Sequence, residues 1–333
     1  MPASLSPRTF VLLTAAFIVA VFIFAGVYTG TQHNPTPHQL RVGIVAPDVM
    51  VGMINLGMKA KAPGYFTLMK YPNEASLTSA IKNRKVYGGY VYRERSGLLL
   101  TASAAGKAAD AALLSLGSEV SKTLKQPLVP KDIAPLNSHD SQGLSSYTYQ
   151  YGLLVPAFVF GVLIFMFGYG LSLAWRLGLS AVYSLGAGIV GALTVDQIVN
   201  ALPHHYLAIA ALGALYSAMA VLVTYGLARV LSYAGLALAG LLLILVGNST
   251  GGGSINQEFL PDFFRSIGQV LPNGAFIRAV RNTIYFDGAN THRAIFVVAL
   301  WALGGLVLIL AAEKLPGLLA RSKRPAPLTK PTS

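Results

Sequence analysis

Two groups of side chains could do chemistry by type and spacing. Asp196 stands a short way before the adjacent pair His204 and His205. A carboxylate and two imidazoles could relay protons or serve an intramembrane enzyme, because histidine titrates near neutral pH. The same three residues also fit a polar cluster solvated at an outer membrane rim, where charge costs least. That second reading is preferred. The other group is Phe263, Phe264, Arg265, Leu271, Pro272, Gly274, Arg278 and Arg281. Aromatic, basic and helix-breaking residues in close succession suit a moving outer gate rather than a catalytic centre.

No catalytic, cofactor-binding or metal-ligating residue is expected. His33, His38 and His139 fall in linkers with no second ligand at useful spacing. The absence of cysteine removes thiolate metal sites and cysteine nucleophiles. The run Ser249-Thr250-Gly251-Gly252-Gly253-Ser254 is rich in glycine, but no Gly-Lys-Ser/Thr follows it. It therefore does not make a phosphate loop, and it reads as a flexible hinge. Without a P-loop the chain is not expected to hydrolyse ATP itself.

The elements that must position these residues follow from the apolar blocks. Apolar residues make up 54 % of the chain and charged ones only 11 %, in uninterrupted runs rather than amphipathic patterns. Such runs must be helices, since only a helix satisfies its own backbone in lipid. A span needs about 20 apolar residues. Six stretches qualify: Phe10–Tyr28, Gly152–Ala174, Leu179–Val195, Tyr206–Ala228, Leu231–Gly247 and Ile295–Ala312. The first is longer than a signal-peptide core and lacks a clear cleavage site, so a retained anchor is expected. Small residues at helical spacing, Ala187 with Gly191 and Gly235 with Ala239, allow close helix approach.

The net charge of +13 could suggest nucleic acid. The basic residues instead flank the apolar blocks, and no basic groove interleaved with aromatics is visible. Arg8, Arg176, Arg229, Lys314, Arg321, Lys323, Arg324 and Lys330 fall on one side, and the short loop Ala201–His205 on the other carries no Lys or Arg. The positive-inside rule then puts both termini in the cytoplasm, in a multi-pass arrangement that fits a bacterial plasma membrane.

The expected fold is a mainly α membrane protein, a six-helix transmembrane bundle with an inserted small α/β extracytoplasmic domain. Residues 1–30 are the anchor and 31–150 the extracytoplasmic domain, entered through Asn34-Pro35-Thr36-Pro37. Within it Leu40–Ala46 and Tyr65–Tyr71 read as strands, Asn73–Lys85 as a helix, Val86–Tyr92 and Gly97–Thr101 as paired strands, and Ala104–Lys125 as a helix. Gln126–Ser146 reads as a returning loop. Residues 151–247 hold four spans, 248–293 an outer loop with two short amphipathic helices, 294–313 the last span and 314–333 a basic cytoplasmic tail. The two amphipathic helices, Phe259–Leu271 and Gly274–Tyr285, would lie in the outer interface or dip into it. Asn248-Ser249-Thr250 matches a glycosylation acceptor, relevant only in a eukaryotic host.

Three features together resemble the type-2 ABC transporter permeases, in the phage-infection-protein-like branch. One is the layout of a single span, an outer domain and five clustered spans. The second is IKNRKVYGGYVY…LLLTASAAGKAA, Ile81–Ala109. The third is LPDFFRSIGQVLPNGAFIRAVRNTIYFDG, Leu260–Gly288. The resemblance implies an exporter subunit that pairs as a homodimer or heterodimer. It implies that ATP is used only through a separate ATPase subunit. A cytoplasmic coupling helix is also implied, yet the inner loops near Trp175–Gly178 and Arg229 are short, leaving the tail Glu313–Ser333 as the longest inner segment. The nearly charge-free spans fit an amphipathic or lipid-like substrate better than coupled ions. Membrane lipid is the expected surrounding partner, and nucleic acid is not. The alternative function is a membrane scaffold or surface interaction protein whose outer domain binds a partner.

Overall fold

The computed structural model describes residues 6–33 and 35–322. Asn34 of the Pro-rich linker, and Lys323, Arg324 and Lys330 of the expected basic tail, lie outside the described residues.

The chain opens with helix α1 (Pro7–Gln32), started by the Ser6 hydroxyl, which accepts the N–H of Thr9. It then builds a mixed five-stranded sheet. In chain order the elements are β1 (Leu40–Val45), α2 (Asp48–Lys61), β2 (Phe66–Lys70), α3 (Glu74–Lys82), β3 (Gly88–Tyr92), β4 (Gly97–Thr101), α4 (Lys107–Leu124) and β5 (Leu128–Asp132). The strand order is β2-β1-β3-β4-β5, with β3 and β4 antiparallel and the other pairs parallel.

Local chemistry explains most of these elements. Asn73 caps α3, its side-chain oxygen accepting the N–H of Ser76 at 2.8 Å. The α3 helix crosses β1 and β3 at Gly43 and Gly89, where any Cβ would collide with Leu77. Helices α2 and α4 cover the other face, burying Ile54, Met58 and Val120 against Ile44 and Tyr90.

Two elements of this unit differ from expectation. Helix α2 reads poorly in sequence because Gly52, Gly57, Val49, Val51 and Ile54 all lower helix propensity. Its stability comes from docking Ile54 and Met58 on the sheet. Strand β5 occupies part of the expected loop Gln126–Ser146. Its Pro130 pairs opposite Leu99 at the sheet edge, where a missing donor is tolerated.

Among the described residues, five helices are long and apolar enough to cross a membrane. Helix α5 (Ser145–Phe167) is the first. Helix α6 (Leu173–Ala192) runs on through a π-helical stretch, Leu193–Ile198, and α7 is Tyr206–Leu231. Helix α8 (Tyr233–Ala239) continues through a second π-helical stretch, Gly240–Val246, into α9 (Gly247–Thr250). After α10 (Asp262–Val270) and α11 (Pro272–Tyr285) comes α12 (Thr291–Ser322).

The expected second span overran the real helix break. Gly168–Gly170 ends α5, and the Ser172 hydroxyl then caps α6 by accepting the N–H of Trp175. The expected inner loop Trp175–Gly178 is therefore helical. The turn after α7 is a single residue, Ser232, at φ 57°.

Helix α7 is the hub of the bundle, packed against α5, α6 and α12. Lipid tails are as apolar as leucine, so close van der Waals approach rather than water exclusion must hold such helices together. Small residues allow it. A Cβ on Gly226 of α7 would strike the Gly305 carbonyl of α12, and one on Gly305 the backbone of Leu222 and Val223 of α7. Gly188 of α6 does the same against Ala210 and Ala214 of α7. A Cβ on Gly191 would come within 2.9 Å of the Tyr149 ring, and Gly235 is pressed onto Leu227.

Candidate functional site

The segment between α8 and α12 is neither a loose loop nor an interfacial pair of helices. Helix α11 enters the bundle. Phe276 stacks on Tyr216 of α7 with ring centroids 4.4 Å apart and meets Tyr149 of α5 at 5.6 Å. Ala275, Ala279 and Val280 share the same core. The Asn273 amide donates to the Leu243 carbonyl, in the π-helical stretch, at 2.9 Å. Residues on both sides of α10 and α11 join the sheet unit, where Phe259 and Phe286 are buried with Leu40, Val86 and Ala104. One segment thus serves two cores.

The glycines of this segment act by their size. Ser249, Thr250, Gly251 and Gly253 are buried. A Cβ on Gly253 would strike the Tyr147 ring, one on Gly268 the Thr250 carbonyl, and one on Gly274 would come within 2.7 Å of the Gly251 oxygen. The expectation of a flexible hinge is corrected on this ground: the run permits backbones to touch. Asn248 is buried as well. Its amide donates to the hydroxyls of Tyr28 on α1 and Tyr147 on α5, both at 3.0 Å, so the glycosylation motif is not presented to solvent.

Charge collects at this junction. Arg281 is buried, and its guanidinium donates to Ser146 Oγ at 3.0 Å and to the carbonyls of Gly143 and Gly253 at 2.8 and 3.0 Å. Burial, with Arg84 adding to it, pushes its pKa down to about 10, so it remains a cation at neutral pH. Arg278 donates to Gln257 Oε1 at 2.7 Å, and the Gln257 amide in turn holds the carbonyls of Thr250 and Gly268. Burial likewise lowers the Arg278 pKa. Arg84 lies over the rings of Phe286 and Tyr87, at 4.6 and 5.4 Å from their centroids. Burial pushes the Tyr87 hydroxyl up, and the neighbouring Glu258 carboxylate adds to that.

The other expected gate residues are spread more widely. Leu271, Pro272 and Gly274 are buried at the α10–α11 corner. Arg265 donates to the His38 carbonyl at 3.0 Å and pairs with Asp262 at 2.7 Å. Phe263 is 69 % exposed and meets Phe264 edge to face at 5.4 Å, and Phe264 approaches α1 near Gly30. The expected amphipathic surface therefore belongs to α10 alone, because α11 is buried nearly all round.

Asp196, His204 and His205 do not form a three-side-chain site. Asp196 is 4 % exposed rather than solvated, and its Oδ1 accepts the backbone N–H of His204 at 3.1 Å. It ties the turn between α6 and α7, while the two imidazoles face outward. Among the described residues no group of three His, Cys, Asp or Glu could share a metal ion.

Residues that sequence reasoning passed over lie at the opposite end of the bundle. Glu313 of α12 pairs with Arg176 of α6 at 2.8 Å and with Arg229 of α7 at 3.3 Å. Arg176 also donates to the Tyr225 hydroxyl. Three helices are pinned there through one carboxylate. A lone acidic residue closing an apolar span, with arginines at two other helix ends, was the available signal.

The chain matches no protein-family profile, no curated protein and no solved structure. Its class follows from its own architecture. Five helices among the described residues that are long and apolar enough to cross a membrane make it a mainly α-helical, multi-pass membrane protein.

Proposed function

We propose that the chain is the membrane-spanning permease subunit of an exporter, moving an amphipathic or lipid-like substrate outward with energy from a separate ATPase subunit. In this reading α1 is a sixth span, the sheet unit lies outside a bacterial plasma membrane, and both termini are cytoplasmic. The observation that carries it is α11, a helix inserted into one end of a bundle whose interior is mostly apolar, with Gln150, Ser217 and Thr224 among its few buried polar side chains. Withdrawing Phe276 from between Tyr216 and Tyr149 would open that end. Because the same segment is built into the sheet unit, the opening and the outer domain would move together. At the other end the Glu313 pairs would have to part, placing a second barrier in series.

The test is extrusion of a fluorophore-labelled phospholipid from proteoliposomes holding the full chain, with and without a candidate ATPase subunit from a neighbouring gene. Extrusion that needs both proteins supports the permease. Absence of a co-purifying ATPase, with equal extrusion in its absence, counts decisively against it.

A second reading, a membrane-anchored interaction protein, has one observation in its favour. Helix α2 leaves Val49 and Leu56 largely exposed beside an apolar cleft of about 670 Å³ between α2 and α4. Removing residues 31–150 separates the readings: an interaction protein loses its partner entirely, whereas a permease retains its ATPase contact.

A further inference from the structure

A cleft of about 1010 Å³ opens where the sheet unit, the outer segment and the start of α12 meet. Arg41, Arg84, Lys85, Arg278 and Arg293 line it, and Glu258 is the one acidic residue in the lining. None of the ion pairs among the described residues includes Arg278. Its neutral partner Gln257 orients the guanidinium without offsetting its charge.

The start of α12 adds a second, independent feature. A helix N-terminus carries partial positive charge and free N–H groups, and acidic residues are favoured there. The first turn of α12 has no acidic residue and instead carries His292 and Arg293, both lining the cleft. Cations on the positive end of a long helix are unfavourable by themselves. An anion between them is attracted both to the cations and to the helix end, which offsets that repulsion.

The other wall of the cleft is apolar. Ala294, Phe296 and Val297 belong to α12, a candidate span, and Phe296 is largely exposed. The cleft is cationic at the span's end and greasy along the span.

We infer that this cleft binds a phosphate-type oxyanion at the end of the α12 span. Arg278 and Arg84 serve as buried or half-buried donors, and Arg293 and Lys85 as exposed ones. Two sources share that chemistry, the headgroup of an anionic phospholipid and a soluble phosphate compound. The inference deepens the permease reading by naming the charged end of its substrate, and shares with it the membrane placement of α12.

The experiment uses the full chain in phosphatidylcholine nanodiscs. Trp175→Phe leaves Trp301 of α12 as the only tryptophan. Energy transfer from Trp301 is read to trace lipid carrying a dansyl group on its acyl chain, either phosphatidic acid or phosphatidylcholine. In parallel, the thermal midpoint is measured in inorganic phosphate and in chloride at equal ionic strength. Enrichment of the anionic lipid over phosphatidylcholine, weakened roughly tenfold or more by Arg278→Gln through loss of a charged donor, assigns the lipid source. Arg293→Gln, at an exposed side chain, must weaken it too and keeps the test valid should Arg278→Gln fail to fold. A phosphate-dependent rise in midpoint that Arg293→Gln abolishes, with no lipid enrichment, assigns the soluble source. Equal transfer from both lipids with no phosphate effect overturns the proposal, as does enrichment that both variants retain. Equal transfer from both lipids and no phosphate effect, with extrusion intact, would sink this inference and spare the permease. The converse result, binding without extrusion, would do the opposite.

Discussion

Both ends of the helical bundle draw arginine out of water, and they settle its charge in opposite ways. At one end Glu313 stands between Arg176 and Arg229, so the cluster carries a carboxylate of its own. At the other, Arg281 is held by a hydroxyl and two carbonyls, and Arg278 by an amide. Neutral acceptors fix a guanidinium in place but leave its charge uncancelled. One end holds its two arginines through a carboxylate in direct contact, whereas at the other the carboxylates of Asp140 and Glu258 act on Arg281 and Arg278 without forming an ion pair. The arginines of the bundle thus gather at two well-separated places, while the buried polar groups between them, such as Gln150 with the Tyr216 hydroxyl, are uncharged.

The largest expected effect tests whether the end around Arg281 is also structural. Arg281→Ala strands three acceptors and leaves a cavity, and should cost about 3–5 kcal/mol. Arg281→Lys keeps the charge but lacks the planar fork that reaches three acceptors, so it should recover only part of the loss. Thermal unfolding of the purified chain in detergent measures both. Full recovery by lysine would show that charge alone matters there, and the comparison with Glu313 would fail.

Next in size is the packing that holds the outer segment in place. Gly268→Ala drives a methyl into the Thr250 carbonyl, and should cost about 1–3 kcal/mol through overpacking. The same change at Gly304, which has open space around it, should be close to neutral. If instead Gly268→Ala stabilised the protein, the segment would be a hinge after all, with entropy rather than contact as the role of its glycines.

These glycines mark the boundary of what the residues alone revealed. Five of the six expected spans were legible because long apolar runs leave a chain no other solution in lipid. So were β1, the β3–β4 hairpin and the capped helix α3, whose signals are local. Helix α2 was not, since its stability lies in the docking of Ile54 and Met58 rather than in its own propensities. The serine- and glycine-rich stretch 249–254 looked flexible for a related reason. A residue without a side chain is equally suited to loose backbone and to the tightest contact, and only neighbours such as Tyr147 distinguish the two. Arg278 and Arg281 were visible as a pair. That they leave the surface is set by Phe276 pulling α11 inward, a long-range fact with no local signature.

The Glu313 end comes third. Glu313→Gln keeps the shape but removes the charge shared by two arginines. Arg176 is mostly buried whereas Glu313 keeps about a third of its side chain in contact with the surroundings. The cost should therefore be about 1–3 kcal/mol, below that of a fully buried pair. In the permease reading the same variant weakens the inner barrier, so basal leak of a fluorescent amphiphile from proteoliposomes should rise. Unchanged leak with lowered stability would keep the ion cluster and remove its gating role.

The smallest effect comes from the same motif placed in water. Glu119 on α4 also bridges two cations, Lys61 and Lys122, each at 2.9 Å, but on an exposed surface. Hydrogen bonds from Lys61 and then Lys122 hold its pKa down at about 2, against an ordinary 4.5. A carboxylate with a depressed folded pKa adds stability that is present above about pH 4.5 and is lost as pH falls toward 2. Glu119→Gln cannot titrate, so its thermal midpoint should lie slightly below that of the unaltered chain at pH 6 and converge with it on acidification. Added salt should shrink the gap at Glu119, where solvent screens the charges, far more than the gap produced by Glu313→Gln. Equal salt sensitivity at the two sites would mean that Glu313 is as wet as Glu119, and the contrast between the two ends of the bundle would lose its physical basis.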